Sequence, residues 1–246
     1  MTENEALSAK ALTLISHKLR TPLSIINGYS EAVLSQAQKE KFSPFTTKAL
    51  HEIYKQGNRM SLLVEKLMSF NQVANADPAT LDKQPVNLKE LIKECAEKAI
   101  AQEGTEKGVP PQQTGGVKRG TFIEIDCSSQ LTLTVNGEML KLCILELLSN
   151  AIKFNNKLEK TIKVQGTNHG DSISIAVRDY GVGIRPQDVS KIFEPFYQVD
   201  DYFTGQVSGW GLGLPMVQRV LDLHRGSISV VSDRGLGSIF TLSFPL

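Results

Sequence analysis

Apolar residues near the start of the chain recur at alternating steps of three and four: Leu12, Ile15, Leu19, Pro22, Ile26, Tyr29 and Val33. That spacing draws a single heptad seam along an α-helix. A second seam runs through Leu50, Ile53, Met60, Val64 and Leu67, with Gly57 in one of its slots. The polar stretch 38–45 between them carries Ser43-Pro44, a turn followed by a helix start. The pattern predicts an αα-hairpin within residues 1–76. Two helices bury too little apolar surface to stand alone, so a homodimer closing a four-helix bundle is the expected completion.

Asn75-Ala76-Asp77-Pro78 breaks this pattern, and residues 77–84 are expected to form a linker. Residues 85–246 have a different texture. Asn87 and Glu90 form a capping box ahead of an apolar-periodic helix. The Gly-, Pro- and Gln-rich stretch from Gly104 to Gly120 predicts a loop, and β-rich runs follow at Phe122–Ile125 and Leu131–Val135. An amphipathic helix spans Gly137–Phe154, then strands at Ile162–Gly166 and Ile173–Val177. A short helix at Gln187–Ile192, a loop from Tyr197 to Ser208, a helix at Leu212–Leu223 and a hairpin of Ile228–Val231 with Ser238–Phe244 complete the expectation. The fold class is thus a helical hairpin followed by an α/β sandwich with a mixed, mostly antiparallel sheet.

Charge narrows the function classes. The 27 Lys+Arg against 26 Asp+Glu leave a net charge of +1, so no overall basic field points to nucleic acid. No apolar run approaches the roughly 18 residues that span a bilayer, so no membrane contact within this chain is expected. Three cysteines without a CxxC pair argue against a disulfide framework or a zinc site. They suit a reducing, cytoplasmic location, either as a compact protein or as the soluble part of a longer sensor.

Three groups of residues carry candidate chemistry. His17 falls at an outward heptad position, where an exposed imidazole is a competent nucleophile toward phosphorus. Thr21 shares its face one turn on, and Pro22 removes a backbone hydrogen bond there. Glu146, Asn150 and Lys153, at i, i+4 and i+7, form one stripe of a carboxylate, a carboxamide and an ammonium. Such a stripe suits Mg²⁺ and phosphate: hard oxygens for the metal, a cation for the anion. Asp179-Tyr180-Gly181-Val182-Gly183 ends a strand, and Gly209-Trp210-Gly211-Leu212-Gly213-Leu214 opens a helix, where backbone amides can bind anions. Neither glycine group is a Walker P-loop or a Rossmann fingerprint.

Together these motifs resemble the boxes of two-component sensor histidine kinases, in that family's order and over nearly the whole chain. Ser16 to Leu23 resembles the phosphoacceptor box and Glu146 to Phe154 the asparagine box. Asp179 to Gly183 resembles the first glycine box, Ile192 to Tyr197 the phenylalanine box, and Gly209 to Leu214 the second glycine box. Gly237-Ser238-Ile239-Phe240 matches the closing strand.

The resemblance implies a dimerisation and histidine-phosphotransfer bundle followed by a Bergerat-type ATP-binding domain using ATP and Mg²⁺. His17 would accept the γ-phosphoryl group and pass it to an aspartate on the receiver domain of a response regulator. Thr21 would position water for dephosphorylating that regulator, Asn150 would hold Mg²⁺, and Asp179 would accept from the adenine amino group. Lys153, Phe154, Tyr197, Gln198 and Leu212, with Gly181, Gly183, Gly209, Gly211 and Gly213, would shape the nucleotide pocket. Glu146 sits four residues before Asn150, where gyrase- and Hsp90-type ATPases place a water-activating carboxylate.

Three positions depart from the family pattern. Lys18 stands where an acidic residue usually follows the histidine. Gln198 stands where an arginine is common, and Trp210 replaces a small residue. Lys18 opens the alternative of a kinase-deficient variant that acts as a phosphatase or a nucleotide-binding scaffold. His51, His169 and His224 are expected to be solvated or structural, with His224 favoured as a cation at a helix C-terminus.

Overall fold

The computed structural model describes residues 19–35, 42–106, 120–199 and 210–246. The chain divides into two compact units between Asn75 and Ala76.

In the first unit, residues 19–35 (α1) are helical without interruption at Pro22. The second helix, α2 (Pro44–Ala74), starts where the sequence places it, with the Ser43 hydroxyl accepting from Thr46 N and Pro44 at its first position. The α1 stripe turned toward α2 is not the heptad seam. Leu23 and Ser30 are buried, and between them Asn27 Nδ2 donates to Ser61 Oγ at 3.3 Å. Leu19, Ile26 and Tyr29 of the seam remain exposed, as do Ile53 and Met60 of α2. Leu19, Ile26 and Tyr29 thus mark an α1 surface that the single hairpin leaves uncovered, whereas Gly57 and Val64 of the α2 seam are buried.

The second unit is a two-layer α/β sandwich. Its five-stranded sheet has the order β2 (Gly120–Cys127), β4 (Glu159–Asn168), β5 (Ser172–Asp179), β7 (Gly237–Pro245) and β6 (Ser227–Asp233). Only the β2–β4 pair is parallel; the other pairs are antiparallel. A separate antiparallel pair joins β1 (Gln84–Asn87) to β3 (Thr132–Val135). Alternate strand residues, including Ile162, Val164, Ile175, Val177, Phe240 and Leu242, are buried. Their counterparts in the helical layer are Leu88, Ile92, Ile144, Leu147, Leu148, Val217 and Leu221 from α3 (Leu88–Glu106), α4 (Gly137–Lys153) and α5 (Gly213–Leu223). Period two on the strands and 3.6 on the helices give one dry layer.

Several elements differ from the sequence expectation. The helix expected at Gln187–Ile192 is instead two 3₁₀ turns, Pro186–Asp188 and Lys191–Phe193. Arg185 ties back onto Asp188 three residues later, a spacing that favours three residues per turn. Of the stretch Gly104–Gly120 expected as a loop, residues 104–106 belong to α3 and Gly120 to β2, and residues 107–119 lie outside the described residues. Strand β1 carries Pro85 and four residues only, too short for periodicity to reveal.

His224 is not the cation the sequence suggests. It is buried, Nδ1 lies 2.8 Å from the Val220 carbonyl, and Asn136 N donates to Nε2 at 3.1 Å. A carbonyl on one side and an N–H on the other require the neutral Nδ1–H tautomer. Burial lowers its pKa from the ordinary value of 6.5. Among the described residues no helix is long and apolar enough to cross a membrane.

Candidate functional site

The site is built at the end of β5 where the sheet meets α4 and α5. Strand alternation turns Asp179 inward with Ile175 and Val177, and it is 7% exposed. Its Oδ1 accepts from Gly181 N at 2.8 Å. Burial pushes the carboxyl pKa up, while the Gly181 amide and the Ser238 amide and hydroxyl oppose the rise. The next turn is tied to α4, since Val182 N donates to the Phe154 carbonyl at 3.0 Å. Gly183 takes a φ of 68° against the Asp233 backbone, and Gly235 N closes the contact by donating to Val182 O at 2.8 Å.

Helix α4 is fixed at both ends. Asn136 Oδ1 accepts from Met139 N at its start. At its finish Lys160 Nζ donates to the Ile152 carbonyl at 2.8 Å and to Glu103 Oε1 at 2.9 Å, while Thr121 Oγ1 donates to Glu103 Oε2 at 2.6 Å. A cation on the last carbonyls of a helix matches its dipole. Leu147, Leu148, Ala151 and Ile152 fill the core, which leaves Glu146, Asn150 and Lys153 half-buried on one stripe. The Glu146 carboxylate lies directly against Gly213, the first residue of α5. Leu212, which caps that helix, is buried and supplies no side-chain hydrogen bond.

The connection from Gly183 to α5 passes through Tyr197, whose hydroxyl donates to Asp188 Oδ1 at 2.8 Å. Phe196 N donates to Gly211 O at 2.8 Å, so the two ends of the segment that runs from Tyr197 to Gly211 meet. Gln198 is exposed and Trp210 half-buried.

The structure therefore brings together Asp179, Gly181, Gly183 and Phe154 on one side, and Glu146, Gly211, Leu212 and Gly213 on the other. Asn150 and Lys153 continue the Glu146 stripe. Thr21 is exposed in the helical unit. His17, Lys18 and Gly209 lie outside the described residues. Sequence reasoning gave no role to Arg185 and Asp188, or to the Lys160–Glu103–Thr121 cluster. Their roles depend on partners up to 57 residues away, and the only local signal is the Arg185–Asp188 spacing.

Among the described residues no group of three or more His, Cys, Asp or Glu side chains could hold a metal. The oxygens of Glu146 and Asn150 are hard donors, and Mg²⁺ commonly takes one or two protein oxygens with the remainder from water and substrate phosphates. The stripe fits that mode of binding.

Residues 9–75 match the family model described as the His Kinase A (phospho-acceptor) domain. Residues 135–246 match the model described as histidine kinase-, DNA gyrase B-, and HSP90-like ATPase. The chain belongs to the two-component sensor histidine kinases, as their catalytic core. The phosphate regulon sensor protein PhoR of Pseudomonas aeruginosa is 29% identical over 94% of this chain and 48% of its own length. The signal transduction histidine-protein kinase AtoS of Escherichia coli is 28% identical over 99% of this chain and 36% of its own. This core thus spans about half or less of those relatives. Among solved structures, full-length ShkA in complex with AMPPNP superposes with a TM-score of 0.71 at 25% identity, over 96% of this chain and 45% of that one. Acinetobacter baumannii AdeS shares the fold at a TM-score of 0.58 and 21% identity, over 93% of this chain and 97% of that one.

Proposed function

We propose that this kinase core autophosphorylates His17 from ATP and passes the phosphoryl group to an aspartate on a response-regulator receiver domain. In this reading residues 1–76 form the dimerisation and phosphotransfer domain, 77–84 the linker and 85–246 the ATP-binding domain. The working unit is a homodimer, and its reduced, buried cysteines suit the cytoplasm.

The observation that carries the reading is Asp179, a buried carboxylate aimed at the site and held by the Gly181 amide. A carboxylate that accepts from an exocyclic amine selects adenine. Guanine presents an oxygen at that place, which would leave two acceptors opposed and unsatisfied. Mg²⁺, when bound, would neutralise charge on the β- and γ-phosphates. Asn150 and Glu146 supply oxygens for it, and Lys153 faces the same anions with a cation. The imidazole of His17 attacks the γ-phosphorus: a new N–P bond forms, the bond to the bridging oxygen breaks, ADP leaves, and the ring gives up a proton. Thr21, one turn from His17, orients water when the regulator is dephosphorylated.

Incubation with γ-labelled ATP tests this. Label should appear on the protein, be lost in acid and kept in base, as a phosphoramidate requires, and be absent from His17→Gln. Label recovered only as free phosphate would favour a gyrase-like ATPase built on Glu146. Nucleotide binding without label in either place would favour a kinase-deficient scaffold.

A further inference from the structure

The connection between Gly183 and α5 holds a buried carboxylate outside the set of residues proposed to touch nucleotide. Asp188 is 2% exposed and ends the turn Pro186–Asp188. Both of its oxygens are taken: Arg185 Nε donates to Oδ2 at 2.6 Å, and Tyr197 Oη donates to Oδ1 at 2.8 Å. These two donors, the Arg185 bond first, hold the carboxyl below the usual carboxylate range. A buried charge is retained only where its partners offset desolvation, and an apolar side chain would join two turns at less cost. The arrangement therefore points to geometry rather than to stability alone.

What the bond to Tyr197 fixes is visible in the next contacts. Phe196, its neighbour, takes a φ of 66°, a conformation that a bulky residue keeps only where its surroundings over-determine it. Its N–H donates to Gly211 O at 2.8 Å. Gly211 has a φ of 63°, and a Cβ there would stand 2.6 Å from Phe196 C, so no side chain fits. Gly211 is followed by Leu212, which caps α5, and by Gly213 against Glu146. One unbroken series of contacts thus runs from Asp188 through Tyr197, Phe196 and Gly211 to the start of α5.

We propose that Asp188 is a positioning residue of the nucleotide site: by holding the Tyr197 hydroxyl it sets the Phe196–Gly211 contact, and with it the N-terminus of α5 beside Glu146. Tyr197 then acts through Asp188 and its own backbone, not by offering its hydroxyl to the nucleotide. The inference rests on the nucleotide-site reading above.

The test uses the full chain with Tyr197→Phe, Asp188→Asn and the double variant. Mg-ADP affinity is measured by calorimetry and by emission of Trp210, the only tryptophan, which adjoins Gly211. Tyr197→Phe should keep the thermal midpoint within a few degrees and weaken Mg-ADP binding by about tenfold, the loss expected for one hydrogen bond to a charged group. Nucleotide-free Trp210 emission should shift as well. The double variant should bind no more weakly than the worse single one, because both act through the same bond. A merely structural bond would lower the midpoint and leave the affinity of the folded molecules alone. Affinity within about twofold of the unsubstituted chain, or losses that add, overturns the proposal. Should Tyr197→Phe fail to fold, Arg185→Gln removes the other partner of the carboxylate and is read by the same criteria. Absence of Mg-ADP binding by the unsubstituted chain would sink the nucleotide-site reading itself; binding that is intact in both chains sinks only the positioning role.

Discussion

Glu146 and Gly213 face each other across α4 and α5 so closely that a Cβ on Gly213 would overlap the Glu146 carboxylate. The overlapping atom is the tip of a flexible side chain, so the helices need not move. Gly213→Ala should leave the thermal midpoint near its original value, helped by the higher helix propensity of alanine. Glu146 should be displaced from the α5 N-terminus, and His17 labelling should slow by about tenfold or more, as small misplacements of a positioned group do. Labelling rate and melting are compared on one preparation; an unchanged rate would mean that the placing of this carboxylate is immaterial.

In the proposed nucleotide site, Asp179 should make binding depend on pH. Burial raises its carboxyl pKa, so its acceptor role is lost at a higher pH than for an ordinary carboxylate. Nucleotide affinity should fall as pH drops through that raised value and be flat above it. Asp179→Asn keeps the shape but can present an N–H to the amine. It should weaken binding by about tenfold or more at neutral pH and flatten the profile, as measured by titration with Mg-ADP across pH.

His224 sets a separate acid limit on stability. Its folded pKa lies below the ordinary 6.5, so between these values the unfolded chain takes up a proton that the folded chain refuses. Stability is therefore full above about pH 6.5 and declines as pH falls toward the depressed folded value. Protonation would set Nε2–H against the Asn136 N–H, two donors facing one another. His224→Gln should melt lower at neutral pH and show a shallower loss of midpoint between about pH 7 and pH 5.5.

In the helical hairpin, Gly57 leaves room for Asn27. A Cβ at Gly57 would overlap Asn27 Oδ1, which is buried and has no hydrogen-bond partner among the described residues. Gly57→Ala alone should destabilise the hairpin despite a propensity gain of about 1 kcal/mol. In an Asn27→Ala background the same substitution should stabilise it. Thermal melts of the four chains in this cycle give the sign directly.

Lys18 follows His17 in the sequence, at the position where the family resemblance implies a general base for the proposed reaction, and an ammonium cannot take the ring proton at neutral pH. A positioned base contributes about 10²–10⁴-fold, whereas an exposed like-charge effect on the imidazole is worth only about 1 kcal/mol. Lys18→Glu should therefore raise the initial rate of His17 labelling by at least about tenfold. Equal rates would show that another group takes the proton.

The sequence by itself determined everything that depends on local repetition. The β-rich runs placed β5 and β7, the capping Asn87 started its helix, and the stripe of Glu146, Asn150 and Lys153 followed from 3.6 residues per turn. The glycine groups marked two turns, and at Gly181, Gly183 and Gly211 the structure brings backbone against backbone, a contact only glycine tolerates. Tertiary structure decided what depends on partners distant in the chain. It alone turned Leu23, Asn27 and Ser30 toward α2 and left Leu19, Ile26 and Tyr29 of the first seam outside, since a periodic pattern gives a stripe but not its neighbour. It replaced a short helix by two 3₁₀ turns around Asp188, whose carboxylate joins Arg185 to Tyr197. And it made His224 a neutral acceptor for Asn136, because the charge of an imidazole follows from burial and from the hydrogen bonds it meets, neither of which its own segment encodes.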